Sequence, residues 1–174
     1  MNAEKNDILI VAVSRSAIYM LNAVMRMKRK DFEKKFSECT TENTKIWAVN
    51  KVKELDEDII ELAIRLGGLD FINYVKITNE AIIASSEIKE TGRKDPIATP
   101  NHPTAIGIEI LYDCNHKSLS FFEINSPIKG NGRKMVSAVL TDLPQSWVLA
   151  VPMDWSEGFW DKIIKEYSEK EWIT

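Results

Sequence analysis

The alternation of apolar and polar residues is strongest in the C-terminal half of the chain. Residues 104–112 and 118–124 are rich in Ile, Leu and aromatic side chains, and the polar residues 113–117 separate them. Two such runs on either side of a short polar segment predict an antiparallel pair of strands joined by a turn.

A helical period replaces this alternation after residue 130. Apolar side chains at spacings of three and four predict one buried helix face, which Pro144 ends. The residues of this face are Met135, Val136, Val139, Leu140 and Leu143. The continuous apolar run 147–151 then predicts a strand that is buried on both faces.

The residues that follow carry a second helical pattern and a short apolar segment. Ser156 is a suitable N-cap, and the helix after it has one apolar face. That face consists of Phe159, Trp160, Ile163, Ile164 and Tyr167. Residues 171–173 predict a short strand at the edge of a sheet.

Helical spacing also dominates the residues before position 68. From residue 14 onward the apolar positions recur at helical intervals, and residues 7–13 fit either a strand or the first turns of the same helix. The recurring positions are Ile18, Leu21, Met25, Phe32 and Phe36. A second helix is predicted over about 45–55.

A third helix is predicted over 58–66 because both of its ends carry the expected signals. Asp56 can cap the start with its carboxylate, and Gly67 with Gly68 supplies a stop. Residues 1–68 are therefore expected to form a mainly helical portion of the fold.

The character of the chain changes after this helical portion. Residues 74–77 and 81–85 flank a short polar segment and predict a hairpin, whereas the polar, proline-containing residues 87–103 predict a loop. Helices followed by strands indicate an α+β fold, and a length of 174 residues suits a single domain.

The composition is that of an ordinary globular protein and excludes several classes. Hydrophobic residues make up 44% of the chain and charged residues 28%, which excludes a disordered or fibrous protein. The formal net charge of −3 excludes a polycation that binds nucleic acid through overall charge. Cys39 and Cys114 lack ligand-like spacing, so we expect free thiols and no bound metal.

The apolar segment 8–27 is the one stretch that resembles a membrane span. Arg15 lies within it, and a charge near the centre of a bilayer costs a few kcal/mol. The acidic residues Glu4 and Asp7 do not fit the basic start of a signal peptide. These features predict a cytoplasmic protein with no membrane partner.

Candidate chemistry concentrates in the loop between the second strand of the pair and the helix. This loop, residues 125–134, contains Gly130 and Gly132 together with three cations. The cations are Lys129, Arg133 and Lys134. Glycines at a strand-to-helix turn allow backbone N–H groups to approach a ligand, and a helix N-terminus favours negative charge. The loop therefore predicts an anion site for a phosphate group.

The order strand, turn, strand, glycine loop, helix, strand, helix resembles the C-terminal half of the GNAT superfamily of N-acetyltransferases. That family carries the loop pattern Arg/Gln-x-x-Gly-x-Gly/Ala. Residues 129–134 match it at Gly132, with Lys129 in place of the first Arg or Gln. Lys134 stands where a small residue is usual, and Pro127 matches a proline that is common just upstream.

The resemblance covers about residues 74–172 and implies a GNAT-like fold, with a mixed, mainly antiparallel sheet flanked by helices. It implies acetyl-CoA or another acyl-CoA as co-substrate, bound in the slot that opens where the strand after the helix splays away. The implied reaction is direct attack of an amine on the thioester, most simply with acetyl as the acyl group. The implied cofactor-binding residues are Ile124, Asn125, Lys129, Gly130, Asn131, Gly132, Arg133, Lys134 and Trp160.

Two carboxylates are the candidates for deprotonating the amine. Glu123 precedes the loop on its strand, and Glu109 lies on the neighbouring strand. In the family, the last helix often carries an aromatic pair whose Tyr protonates the leaving CoA thiolate. Here the pair is Phe159 and Trp160, and an indole cannot act as that acid.

The remaining polar side chains receive other interpretations. His116 lies in the predicted turn and is expected to be exposed, whereas His102 is expected to border a substrate opening. Tyr112 and Tyr167 are the phenols near the implied site, and Tyr167 fits the core-facing side of its helix.

Two alternatives stay open at this point. Trp160 and Lys134 favour a catalytically inactive GNAT-like module that serves in binding or regulation. Residues 26–35 carry six cations and two acids, which favours a nucleic-acid-associated protein whose glycine loop contacts backbone phosphate.

Overall fold

The computed structural model describes residues 25–40, 43–90, 92–154 and 156–173. The segment 7–13 and the first part of the predicted N-terminal helix lie outside these residues. In the described part of the chain, the elements in sequence order are β1 (Arg26–Lys28), α1 (Arg29–Cys39), β2 (Lys45–Ala48), β3 (Glu54–Asp56), α2 (Glu57–Gly67), β4 (Tyr74–Ile77), β5 (Ala81–Ser85), β6 (Gly107–Asp113), β7 (Ser118–Asn125), α3 (Asn131–Leu140), β8 (Val148–Ala150), α4 (Phe159–Glu166) and β9 (Glu171–Ile173).

Among the described residues, seven strands form one mixed sheet in the order β2-β4-β5-β6-β7-β8-β9. The four central strands β4, β5, β6 and β7 are antiparallel neighbours. Parallel pairs lie at both edges, where β2 joins β4 and where β8 joins β7 and β9. The predicted α+β class is thus confirmed, together with the hairpin β4–β5 and the antiparallel pair β6–β7.

Helices α2 and α3 pack together on the sheet. α2 contacts β2, β4 and β5 as well as α3, and α3 also contacts β6. The predicted apolar face of α3 is buried in the core. The helix ends at Leu140 and not at Pro144, so Leu143 is buried but lies beyond the helix. Burial of apolar surface contributes roughly 25 cal/mol per Å² and is the main force that holds such layers together.

The start of α2 matches its prediction and also anchors a polar cluster. The Asp56 carboxylate accepts a hydrogen bond from the backbone N–H of Asp58 at 2.9 Å. Lys117 Nζ donates to Asp56 at 2.9 Å and to Asp58 at 3.0 Å, and the Trp147 indole N–H donates to Asp58 at 2.7 Å. These four residues, the Lys117 cluster, tie the start of α2 to the β6–β7 turn and to β8.

The prediction of a mainly helical N-terminal portion is wrong for two segments. Arg26–Lys28 is strand β1, and the residues predicted as a helix over 45–55 form β2 and the start of β3. β2 is a strand because it pairs in parallel with β4, where Ile46 lies opposite Val75. This partner is distant in sequence, so local helical spacing does not reveal it.

Arg29 fixes the connection that replaces the predicted helix. Its guanidinium donates hydrogen bonds to the carbonyl oxygens of Ala48, Val49 and Val52 at 3.0 to 3.1 Å. A helix would hold these carbonyl groups in its own backbone ladder, whereas here a side chain satisfies them.

Two predicted boundaries shift for local reasons. β6 begins at Gly107 and not at residue 104. α4 begins at Phe159, because Gly158 before it has a left-handed backbone with φ 91° that ends the preceding loop. Ser156 nevertheless stays close to the helix start, since its hydroxyl accepts a hydrogen bond from the Trp160 N–H at 3.4 Å.

Strands β7 and β8 separate soon after they pair. Only Ser118–Ser120 of β7 pairs with β8, although β7 continues to Asn125. Val148 and Ala150 of β8 are half-buried, so the prediction of a strand buried on both faces is wrong. The reason is that β8 lies close to the sheet edge and loses contact with β7 after three residues.

Candidate functional site

A cavity of about 890 Å³ opens where β7 and β8 separate. Its walls come from the end of β7, the loop before α3, the first turn of α3 and the helix α4. Pro100 and Asn101 of the loop between β5 and β6 complete it. A volume of this size is typical of a site for a small molecule or cofactor.

The cavity follows the open edge of β7. Five successive residues, 121–125, line it, although successive strand residues point to opposite faces of a sheet. Only a strand edge without a neighbour can present all of them to one space. In the described part of the chain, the pairing with β8 ends at Ser120, so residues 122–125 have no strand partner on that edge. The edge therefore offers free N–H and C=O groups to a ligand.

The first turn of α3 lies at the end of this edge. Gly130 is its N-cap and has φ 93°, a left-handed conformation that favours glycine. The Asn131 N–H donates to Ile128 O at 3.4 Å, and the Lys134 N–H donates to Gly130 O at 3.1 Å. Within the described residues, the amides of Gly132 and Arg133 have no hydrogen-bond partner.

The first turn of α3 contains no negative charge of its own to offset the positive end of the helix dipole. The N-terminus of a helix carries partial positive charge, which acidic side chains normally offset. The first turn of α3 contains no acidic residue and no side-chain cap, and it carries Arg133 and Lys134 instead. An external anion would supply the missing negative charge.

The charged groups that line the cavity are mostly cations. The cations are Lys129, Arg133 and Lys162, and Glu123 is the only carboxylate among the described lining residues. Arg133 forms an ion pair with Glu166 at the end of α4, and this hydrogen bond raises the pKa of Arg133. Glu166 of α4 thereby pairs with a cation in the first turn of α3.

Glu123 and Glu109 are direct neighbours across the pair β6–β7. Burial raises the pKa of Glu109, and the nearby Glu123 carboxylate raises it further. Lys89 and Lys76 oppose this effect. Glu123 lines the cavity and Glu109 does not, so Glu123 is the carboxylate that can reach a ligand.

A β-bulge shapes the strand beside this pair. The register shifts between Glu109 and Ile110, whose partners are Glu123 and Phe121. Phe122 is therefore the extra residue, and its side chain is partly exposed at the cavity. A bulge re-aims the side chains that follow it, here toward the open edge.

Aromatic side chains close the inner end of the cavity. The Phe121 and Trp160 rings lie 4.8 Å apart, and Phe159 meets Trp160 edge to face at 5.2 Å. A Cβ on Gly132 would lie 3.9 Å from both Ile124 and Phe159, which is ordinary van der Waals contact. A large side chain at Gly132 would therefore occupy the cavity itself.

In the loop predicted over 87–103 from its prolines, the described residues near Ile97 and His102 pack against the sheet. A Cβ on Gly107 would come within 2.3 Å of the Ile97 carbonyl oxygen, so only glycine fits under this loop. The Asn125 side chain donates to the carbonyl oxygens of His102 and Ala105. His102 Nδ1 in turn accepts from the Ala105 N–H at 3.0 Å. These bonds hold His102 in place, next to Pro100 and Asn101, which line the cavity.

The structure brings most of the sequence-predicted site residues together. Those that line the cavity are Glu123, Ile124, Asn125, Lys129, Gly130, Gly132, Arg133 and Trp160. Asn131 is buried outside its lining, and Lys134 points to the Phe71 ring at 5.8 Å. Glu109 lies beside Glu123 on the neighbouring strand and does not line the cavity.

Sequence reasoning missed several lining residues. These are Phe122, Ile128, Met153 and Lys162. Lys162 follows Phe159 by three positions on α4, so helical spacing from the aromatic pair could have found it. The other three are exposed apolar residues that carry no local signal.

The other polar side chains singled out in the sequence serve the fold. His116 is exposed, as predicted, and pairs with Asp113 at 2.7 Å. The Tyr112 hydroxyl donates to Thr78 O at 2.6 Å, and the Tyr167 hydroxyl donates to Ser137 Oγ at 3.1 Å. His102 is held in its turn. None of these four lines the cavity.

The basic segment 26–35 makes several internal contacts. Arg29 binds backbone carbonyl groups, as described above, and also Glu33 at 2.7 Å. Lys35 pairs with Glu61 on α2, and that hydrogen bond raises the pKa of Lys35. The surface charge available to an external polyanion is correspondingly smaller.

Comparison of the chain with protein-family models, with curated proteins and with solved structures finds no match. In the described ranges, no helix is long and apolar enough to cross a membrane. The same ranges contain no group of three or more His, Cys, Asp or Glu side chains that could hold a metal ion. Fold and cavity together define an α+β protein with a cleft that is lined by several cations and lies beside an open strand edge.

Proposed function

We propose that this protein is an acyl-CoA-dependent N-acyltransferase with a GNAT-like fold. The observation that carries the proposal is one cavity in which an open strand edge meets a cationic helix start. The CoA pyrophosphate is assigned to the free amides of Gly132 and Arg133, with Lys129 nearby. The amide groups of pantetheine match the unpaired backbone of β7, since an extended ligand can add to a sheet edge.

In the proposed reaction, a neutral amine attacks the carbonyl carbon of the thioester. A C–N bond forms, the C–S bond breaks, and the thiolate leaves with the electron pair. The excess proton on nitrogen passes to the Glu123 carboxylate, directly or through one water. Free N–H groups on the β7 edge are suited to stabilise the oxyanion of the tetrahedral intermediate.

The thiolate takes its proton from solvent in this scheme. In the described part of the chain, no Tyr, Cys or His side chain lines the cavity. A thiol has a pKa of about 8.5, so a thiolate leaves readily without a general acid. This lining also favours the second candidate, a catalytically inactive module that binds acyl-CoA.

A thermal-shift titration with CoA and acetyl-CoA tests the cofactor assignment. A ligand at 100 times its dissociation constant is expected to stabilise the fold by roughly 2.7 kcal/mol. Gly132→Trp is expected to abolish that shift, because the indole fills the space between Ile124 and Phe159. Glu38→Trp, an exposed position on α1, controls for the added aromatic side chain.

The outcomes separate the two candidates. If neither ligand shifts the melting temperature of the unmodified protein, both the transferase and the acyl-CoA-binding module are contradicted. A shift without release of free CoA thiol, across a panel of primary amines, favours the binding module. A shift with thiol release that requires an amine supports the transferase.

The nucleic-acid hypothesis receives less support, because Arg29 and Lys35 of the basic segment already bind within the chain. Retention on immobilised DNA or RNA that falls steeply with salt would speak for it.

A further inference from the structure

Exposed apolar side chains gather at the cavity. Five large hydrophobic side chains are exposed in the described part of the chain, and three of them line this one space. These are Phe122, Ile128 and Met153, which are 38%, 57% and 51% exposed. Large exposed apolar patches are uncommon on soluble proteins, and exposed apolar side chains that line one cavity indicate a ligand-binding surface.

The three residues come from separate segments that border the same space. Phe122 is the extra residue of the bulge in β7, Ile128 lies in the loop before α3, and Met153 follows β8. Behind them the walls continue with Phe121 and Phe159. The apolar surface is therefore a property of the assembled site and not of one hydrophobic segment.

The charges at the site identify the kind of apolar ligand. Glu166 pairs with Arg133, but Lys129 and Lys162 still outnumber Glu123 in the described lining, so the cavity favours a ligand with net negative charge. An aliphatic amine carries a positive charge at neutral pH and is disfavoured. An anionic head with an apolar chain fits both parts of the lining.

We propose that the acyl group taken by this site is an aliphatic chain of about eight carbons or more, and not acetyl. This inference rests on the proposed acyl-CoA function and names the donor class for it. An acetyl group ends in a single methyl and cannot cover Phe122 and Met153, whereas a longer chain covers both. Each methylene that becomes buried tightens binding by about fourfold, from roughly 0.8 kcal/mol per group.

Calorimetric titration of the full chain with CoA, acetyl-CoA and octanoyl-CoA tests the proposal. Octanoyl-CoA is expected to bind at least tenfold more tightly than acetyl-CoA, with only part of its chain buried. Equal affinity for the two acyl-CoAs would overturn the inference and leave the CoA assignment intact. Failure to bind CoA itself would overturn the proposed function and the inference with it.

Two variants link the chain-length preference to these residues. Phe122→Ser and Met153→Ser are each expected to lower the ratio of octanoyl-CoA to acetyl-CoA affinity severalfold. Ile173→Ser removes a more exposed apolar side chain on β9, outside the lining, and is expected to leave the ratio unchanged. A ratio that survives both cavity variants, or that Ile173→Ser lowers equally, contradicts the proposal. Octylammonium is expected not to compete, and competition by it would assign the apolar surface to the amine acceptor.

Discussion

Polar groups have hydrogen-bond partners at the start of strand β7, whereas some polar groups near its other end have none. At its start, Lys117 bonds both Asp56 and Asp58, and Trp147 bonds Asp58, so that each charge has a partner. At its other end, the Gly132 and Arg133 amides have no partner in the described structure, and a cavity replaces the neighbouring strand.

This contrast separates the part of the molecule that holds the fold from the part available to a ligand. Burial lowers the pKa of Lys117, but its hydrogen bonds to the two aspartates outweigh that effect, so the pKa is raised. The cluster is complete without a ligand. At the open end, the Gly132 and Arg133 amides lack a partner within the described residues, and these are the groups to which we propose an anion binds.

The largest expected effect falls on catalysis at the open end. Glu123→Gln keeps the size of the side chain and removes the carboxylate that we propose as the proton acceptor for the amine. The rate of thiol release at saturating acyl-CoA is expected to fall by about 10²-fold or more, since general base catalysis contributes roughly that factor. Neither the urea midpoint nor the CoA affinity is expected to fall, because the substitution removes a negative charge next to Glu109 and next to the proposed site of an anionic ligand. An unchanged rate would remove Glu123 from the mechanism.

A substitution in the Lys117 cluster is expected to change the stability of the fold and not ligand binding. Lys117→Met leaves the buried Asp56 carboxylate without its cation and should lower the free energy of unfolding by about 2 kcal/mol. Urea denaturation measures the loss, and CoA affinity at low denaturant should be unchanged. Lys34→Met, at an exposed pair with Glu38, is the matched control and should cost less than about 0.5 kcal/mol.

A smaller effect on stability is expected at Glu109, which neighbours Glu123 but does not line the cavity. Burial raises its pKa in the folded state, and Glu123 adds to the rise. Its protonated form therefore stabilises the fold, fully below the unfolded pKa of about 4.3, and this contribution is lost as pH rises through the folded-state pKa. Glu109→Gln should remove that pH dependence and raise stability at pH 7 by less than about 1 kcal/mol.

The same variant decides the catalytic role of Glu109. Because Glu109 does not line the cavity, thiol release by Glu109→Gln is expected to stay within a few fold of the unmodified protein. A loss as large as that of Glu123→Gln would mean that the proton passes through both carboxylates.

Local signals in the sequence determined the elements that need no distant partner to be recognised. The pair β6–β7 follows from two apolar runs around a polar turn, and the buried face of α3 follows from helical spacing. Asp56 and the glycines at 67 and 68 marked the ends of α2. Glycine and cation positions also indicated the loop before α3, because backbone freedom and charge are properties of single residues.

Tertiary structure decided whatever depends on contacts between distant segments. Residues 45–48 are a strand only because β4 offers a parallel partner. The cavity exists because β8 leaves β7 after three residues, and it gathers Phe122, Met153 and Lys162 from segments that share no local pattern. Hydrogen bonding between distant strands and the space left between them are not encoded in any short window of sequence, which is why periodicity located the glycine loop but not the cleft beside it.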